Sequence, residues 1–325
     1  MRIVTIDVLI PCYNERKYLP ALFESLNKLK VPPSIVVQFI FSDNASNDGT
    51  YEFLRNTDLK NKKVYTHKEN VGGTSNLIFL LTKIQSNYFM YLDAHDFLTE
   101  DYFCKFNRFV TNNINSDIYI GDVVTFKEIG NKFEIVQLQN RFKFSNNPKL
   151  RQIQLALFLF HNSIYHSIIR KDAIDILFLA KNRTLTFDHV VTHAALVSGN
   201  IQYLDGCFYV RRYRELLGPD FTHDVNGKSI SRYDRASGFR QDLSDKKLSK
   251  IIGQISLLVG GKLYSAFIAF LIKGKFEKLS FNYAIFRAFR IICSRILKLN
   301  PSITDVYIVD QYTSDEIYGY EKSNF

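Results

Sequence analysis

Short apolar runs alternate with segments of helical period through the first hundred residues. Ile6-Asp7-Val8-Leu9-Ile10 reads as a strand, and between Glu15 and Leu29 the residues Leu19, Leu22, Phe23, Leu26 and Leu29 recur at helical spacing. Ile35 to Phe41 is a second apolar strand, followed by the polar loop 42–49 and a short helix. Val64 to His67 is a third strand, Gly72-Gly73 breaks the chain before a helix over Leu77 to Ile84, and Tyr88 to Leu92 is a fourth strand. This alternation predicts an α/β fold, with a mainly parallel, Rossmann-like sheet and helices on both faces.

The pattern then loosens. Tyr102 to Val110 reads as a helix, and Asp117 to Phe126 and Phe133 to Gln137 as strands of a hairpin through Gly130-Asn131. Leu155 to Arg170 is apolar and is expected to surround a binding surface. A helix over Val190 to Val197 precedes two strands, Ile201 to Leu204 and Phe208 to Arg212. The polar stretch 219–244 suggests a boundary, giving a main domain over 1–220 and a linker with a helical C-terminal extension over 221–325.

Composition narrows the class only slightly. A chain of 325 residues with 46% hydrophobic and 23% charged content buries a large core. Cys12, Cys104, Cys207 and Cys293 are far apart and form no CxxC pair, which points to free thiols in a reducing compartment. Met1 leads straight into a strand, and the apolar stretch Ile255 to Ile272 is broken by Gly260-Gly261 and Lys262. The expectation is a cytoplasmic chain that does not span a membrane.

The net charge of +10 admits nucleic acid, anionic lipid or phosphorylated ligands. The basic residues are not interleaved with stacking aromatics, which argues against nucleic acid. Wound as a helix, 281–299 puts Arg287, Arg290, Arg295 and Lys298 on one arc, with Ile285, Phe289, Ile292, Ile296 and Leu299 opposite. Together with the lysines from Lys246 onward, this fits a surface lying on an anionic bilayer, peripheral to the membrane. It fits equally a packed helix with a solvated basic face.

Candidate chemistry collects after the strands. Pro11-Cys12-Tyr13-Asn14-Glu15 follows the first, Asp43-Asn44 the second, Asn70 to Asn76 the third and Asp93-Ala94-His95-Asp96 the fourth. Each alone reads as an ordinary turn or helix cap. Ligands of open α/β sheets, however, bind at the carboxyl ends of strands, where all four fall. Asp43 with Tyr13 offers an acceptor and an aromatic wall for a uracil ring.

These four clusters, read as Pro11 to Glu15, Asp43 to Thr50, Asn70-Val71-Gly72 and Asp93 to Asp96, resemble the family 2 glycosyltransferases of the GT-A fold. The resemblance is strong over 5–105 and weaker to about 215. It implies an inverting transfer from a nucleoside diphosphate sugar to a glycan or lipid-linked acceptor in surface polysaccharide synthesis. It also implies a nucleotide-sugar half over 1–105 and an acceptor half over 106–220. Pro11, Tyr13, Glu15, Asp43, Asn44, Asn70, Gly72, Asn76, Asp93 and Ala94 would line the donor pocket, and Asp93, His95 and Asp96 would hold Mn²⁺ or Mg²⁺. His95 stands where the family usually has aspartate, and imidazole is a competent ligand for Mn²⁺-like ions. The competing reading is a catalytically degenerate nucleotide-sugar-binding protein that serves as a membrane-associated scaffold.

The resemblance also implies a general base at the start of a helix about a hundred residues further on. Asp188 fits that place, although an aspartate there also caps a helix. His166, His189, Arg211 and Arg212 are candidates for the acceptor or diphosphate side, against ordinary surface charge.

Overall fold

The computed structural model describes residues 3–112, 116–129, 132–139, 142–158, 163–182, 184, 187–212, 222–223, 229–230, 246–276, 281–295 and 302–303. The Gly130-Asn131 turn, most of the stretch 219–244, and Ile296, Lys298 and Leu299 lie outside these residues.

The first half is β1 (Val4–Cys12), α1 (Leu19–Lys28), β2 (Ile35–Asp43), α2 (Thr50–Asn56), β3 (Lys62–Thr66), α3 (Gly73–Leu81), β4 (Tyr88–Tyr91), β5 (Phe97–Leu98) and α4 (Tyr102–Asn112). Next come β6 (Ile118–Ile129), β7 (Lys132–Gln139), β8 (Phe142–Lys143), α5 (Pro148–Phe158), β9 (Ile168–Arg170), α6 (Ile176–Lys181), α7 (Phe187–Ser198) and β10 (Ile201–Arg212). Three further helices follow: α8 (Lys246–Ser256), α9 (Lys262–Phe276) and α10 (Phe281–Arg295).

The main sheet runs in the order β3-β2-β1-β4-β9-β6-β10-β5, with β7 also paired to β6. β3, β2, β1 and β4 are parallel neighbours. β9 is antiparallel to both β4 and β6. β6 and β10 are parallel, while β5 and β7 add antiparallel edges. The order of the first four strands reverses at β1, so the crevice beside its carboxyl end is a topological switch point.

The period-2 pattern decides which helices cover which face. Ile6, Val8 and Ile10 point to one side with Phe39, Phe41 and Met90, and are buried under Leu22, Phe23, Leu26, Phe103 and Phe106 of α1 and α4. Leu9, Ile40, Phe89 and Tyr91 point the other way, into a core built by α3, α5 and α7. The C-terminal helices join this second core through Leu248, Ile251, Ile252, Ile255, Ile268, Leu271 and Ile272. Each such side chain contributes about 1.5–3 kcal/mol on burial, so these helices belong to the covering layer of the sheet.

Three element boundaries differ from the sequence reading, each for a local reason. α1 begins at Leu19, not Glu15, because the loop before it is tied to the β2–α2 loop. There the Glu15 amide donates to Thr50 Oγ1 (2.9 Å) and the Arg16 amide to Asp48 Oδ2 (3.0 Å). α3 begins at Gly73, a turn before Leu77, because Gly72 at φ 84° lets the chain enter the helix and its carbonyl accepts from the Asn76 amide. The two strands expected over 201–212 are one strand, β10, whose register on β6 shifts between Tyr203 and Phe208 around Gly206 at φ 69°.

Candidate active site

The carboxyl ends of β1, β2, β3 and β4 open on one edge of the sheet, and the two loops at its centre are laced together. The Asn14 amide donates to Ser46 Oγ, and Asn14 Oδ1 accepts from the Asn47 amide (2.9 and 3.0 Å). Asn14 and Ala45 take positive φ, at 55° and 58°, to make this fit.

At the end of β2, Asp43 is buried, and its Oδ2 accepts from the Ser46 amide and from Thr66 Oγ1, both at 3.2 Å. Its Oδ1 is buried without a hydrogen-bond partner among the described residues. Asn44 holds Asn70 in place: Asn44 Nδ2 donates to Asn70 Oδ1 (2.9 Å), and Asn44 Oδ1 accepts from the Val71 amide (3.0 Å). Asn70 Oδ1 also accepts from the Gly72 amide, while its Nδ2 is buried without a hydrogen-bond partner among the described residues. This sheet edge therefore presents one carboxylate acceptor and one amide donor that the described residues do not satisfy. Asn76 is spent on the framework: its Oδ1 accepts from Ser42 Oγ (2.5 Å) and faces His67 Nε2, and its Nδ2 donates to the Ser42 carbonyl.

Beyond β4, Asp93, Asp96 and His166 bring one ligand atom each within 4.8 Å of one another. Asp96 is fully buried. Its Oδ2 accepts from the Tyr209 hydroxyl (2.7 Å) and its Oδ1 from the Arg212 amide (2.8 Å). Burial pushes its carboxyl above the usual carboxylate range, and the charge of His95 partly opposes this. The Tyr209 hydroxyl accepts from the Asp93 amide (3.1 Å), and the Tyr209 ring stacks on His166 at 4.0 Å, so one tyrosine braces all three members.

His95 is not in this group. Its Nδ1 lies 3.4 Å from Glu15 Oε1 and its Nε2 3.9 Å from Asp96 Oδ1, which turns the ring toward the β1 loop. The sequence reading grouped His95 with Asp93 and Asp96; in the structure the imidazole whose nitrogen lies within 4.8 Å of both carboxylates is that of His166. His166 arrives on the short helical turn before β9, from the far half of the chain.

Asp188 lies in the first turn of α7, half-buried. Its neighbour across the site is Tyr165, whose ring stacks on Tyr91 at 4.5 Å and whose hydroxyl is buried. Burial pushes that hydroxyl up, and the charges of Tyr91, Asp93 and Asp188 add to the effect. The turn that carries Tyr165 packs against α7.

Arg212 is buried with its guanidinium among the rings of Tyr18, Phe97 and Phe126, 5.0–5.2 Å from each, and its Nε donates to the His95 carbonyl. It clamps the loop after β4 onto β10. Arg211 beside it is exposed, His189 is buried, Pro11 and Tyr13 are half-buried at the end of β1, and Ala94 is buried. Tyr209 carries no motif in the sequence, and Tyr165 was legible only as part of the apolar stretch expected to surround a binding surface. Only the pairing of β10 and the fold of 163–166 bring them here.

The pattern that defines Glycosyl transferase family 2 matches residues 7–177, more than half of the chain. The chain belongs to glycosyl transferase family 2. No curated protein matches it closely enough to add a relative. Among solved structures, S. aureus TarS 1-349 is similar with a TM-score of 0.56 at 15% identity, over 92% of this chain and 82% of that one. The same fragment in complex with UDP-GlcNAc gives 0.56 at 17% identity over 91% and 76%, and in complex with UDP 0.54 at 16% over 91% and 75%. Identities this low speak for the fold, a mostly parallel sheet with flanking helices, which is the GT-A fold. The family match ends before α7, so Asp188 rests on its own geometry.

Proposed function

We propose that the chain is an inverting glycosyltransferase that moves a sugar from a UDP-linked donor to a glycan or lipid-linked acceptor in surface polysaccharide synthesis. The observation that carries this reading is the pair Asp43 Oδ1 and Asn70 Nδ2, a buried acceptor and a buried donor without a hydrogen-bond partner among the described residues, at the same edge of the sheet as the acidic group after β4. The edge of uracil offers an N–H and a carbonyl that meet this pair. Binding of UDP-GlcNAc and UDP by the similar TarS fragment supports a uridine donor.

Two carboxylates and an imidazole within 4.8 Å fit a divalent cation, and the imidazole favours Mn²⁺ over Mg²⁺. In this reading Asp93, Asp96 and His166 hold it, and when bound it supplies positive charge against the departing diphosphate. Asp188 takes the proton of the acceptor hydroxyl. The hydroxyl oxygen bonds to the anomeric carbon from one side while the bond to the diphosphate oxygen breaks on the other, inverting the centre. On this reading the enzyme works in the cytoplasm, peripheral on the membrane where a lipid-linked acceptor is reached.

Release of UDP from UDP-GlcNAc, with Mn²⁺ and with chelator, tests the reading. A scaffold without catalysis releases none from any UDP-sugar. Asp43→Asn is expected to weaken UDP binding by about 10–100-fold, because the amide oxygen goes to Ser46 and the amide N–H₂ then opposes the base N–H. Calorimetry that finds wild-type affinity in that variant would move the base elsewhere. In thermal melts, the stabilisation by Mn²⁺ should shrink in His166→Ala and persist in His95→Ala. The reverse pattern would return His95 to the ligand set.

A further inference from the structure

The positive charge of this chain sits in one place. Residues 246–299 hold eleven Lys and Arg against one acidic residue, Glu277, and this accounts for the whole net charge of +10. The remainder of the chain is balanced.

The same segment concentrates exposed aliphatic side chains. Leu257, Leu258, Leu263, Ile285, Ile291 and Ile292 are six of the eleven large hydrophobics exposed among the described residues, and Leu263 and Leu258 are the most exposed, at 89% and 77%. Lys250 and Gln254 of α8 are exposed, and the turn that follows the helix continues with exposed Leu257 and Leu258. Four residues separate α9 from α10, and the Phe267 and Phe289 rings meet at 5.4 Å, so the two helices run antiparallel. Ile291 and Ile292 therefore return to the end of the hairpin where Leu263 begins α9. No described helix is long and apolar enough to cross a membrane.

Three occupants compete for this end, and the chemistry separates them. A second copy would set one strongly basic segment against another. A nucleic acid would meet the charge but has no use for exposed leucine and isoleucine, since single strands stack on aromatics. An anionic bilayer takes both, with aliphatic groups at the acyl boundary and Lys and Arg among the headgroups.

We propose that Leu257, Leu258, Leu263, Ile291 and Ile292 form a tip that seats in the interface of an anionic bilayer, with Lys250, Lys262 and Arg287 on the headgroups. The proposal rests on the peripheral-membrane part of the function proposed above, not on its transfer chemistry. It turns the last helices into a device that holds the sheet edge at the surface where a lipid-linked acceptor lies.

The test is flotation of the full chain with vesicles of phosphatidylcholine alone or mixed with phosphatidylglycerol. Binding is expected only with the anionic lipid and should weaken in high salt. The double variant Leu258→Glu/Leu263→Glu should lose at least about tenfold in vesicle affinity while UDP release in solution stays at the wild-type rate. Unchanged binding in that variant, or equal binding to neutral vesicles, overturns the proposal. So does a wild-type dimer in gel filtration that the same variant converts to monomer, because it assigns the tip to a second copy. Vesicle binding without any UDP release would instead sink the transferase reading and leave this one standing.

Discussion

Turnover of UDP-GlcNAc by Asp188→Asn is expected to fall by about 10²–10⁴-fold with UDP affinity unchanged. Asparagine keeps the size and the helix-capping capacity of aspartate but cannot take up a proton. Asp188 stands in the first turn of α7, where unsatisfied amides favour a negative charge, half-buried and close enough to act on Tyr165 together with Asp93. The proposed uracil partners, Asp43 and Asn70, lie at the ends of β2 and β3 and not on α7. The effect should therefore appear in kcat, with calorimetric UDP binding as the control. Full turnover in the variant would leave Asp188 as a cap and require another base.

The second large effect is structural. Arg151 is buried under α7, and its guanidinium is consumed by four backbone carbonyls: Nε donates to Ser145, Nη1 to Leu196 and Gly199, and Nη2 to Asn146, at 2.6–3.3 Å. Two of these acceptors lie at the carboxyl end of α7, where orphan carbonyls and the helix dipole favour a cation. Burial pulls the guanidinium pKa down, but arginine stays charged. Arg151→Met removes every donor and strands the carbonyls, at an expected cost of about 3–5 kcal/mol. Urea titration should show a lower midpoint with an unchanged slope. Arg151→Lys should recover only part, since one ammonium cannot reach four acceptors spread over two elements. A loss under about 1 kcal/mol would show that water or rearrangement satisfies the carbonyls instead.

What the sequence showed and what it hid divide by range of contact. β1 to β4 were legible because each is a short apolar run bounded by polar turn residues, and the parallel sheet followed from the helices between them. Asp43, Asn70 and Asp93 were legible as candidates because strand ends are where ligands collect. The roles of the histidines were not. His95 and His166 lie far apart in the chain, and only the pairing of β9 with β4 decides which ring joins Asp93 and Asp96. Arg212 read as a candidate for the acceptor or diphosphate side or as surface charge, and the structure buries it with its guanidinium among the rings of Tyr18, Phe97 and Phe126. The C-terminal helices read as an appendage because a polar stretch precedes them. Their buried leucines and isoleucines find partners on α5 and α7, at sequence distances no local pattern reports.

The antiparallel β9 has a consequence for how this enzyme could be re-engineered. It is the seam between β1–β4 and the rest of the sheet, joined by Tyr88↔Arg170 and Phe89↔Ile169 on one side and Ile118↔Ile169 on the other. Such a seam does not act as a hinge, since opening it would strand backbone groups in the middle of the sheet. A chimera spliced near residue 105 would mate a foreign β9 to the native β4 and import a foreign His166 into the native acidic group. Acceptor preference is better grafted in segments that spare 163–170, leaving the sheet and the proposed cation site to travel as one inherited part.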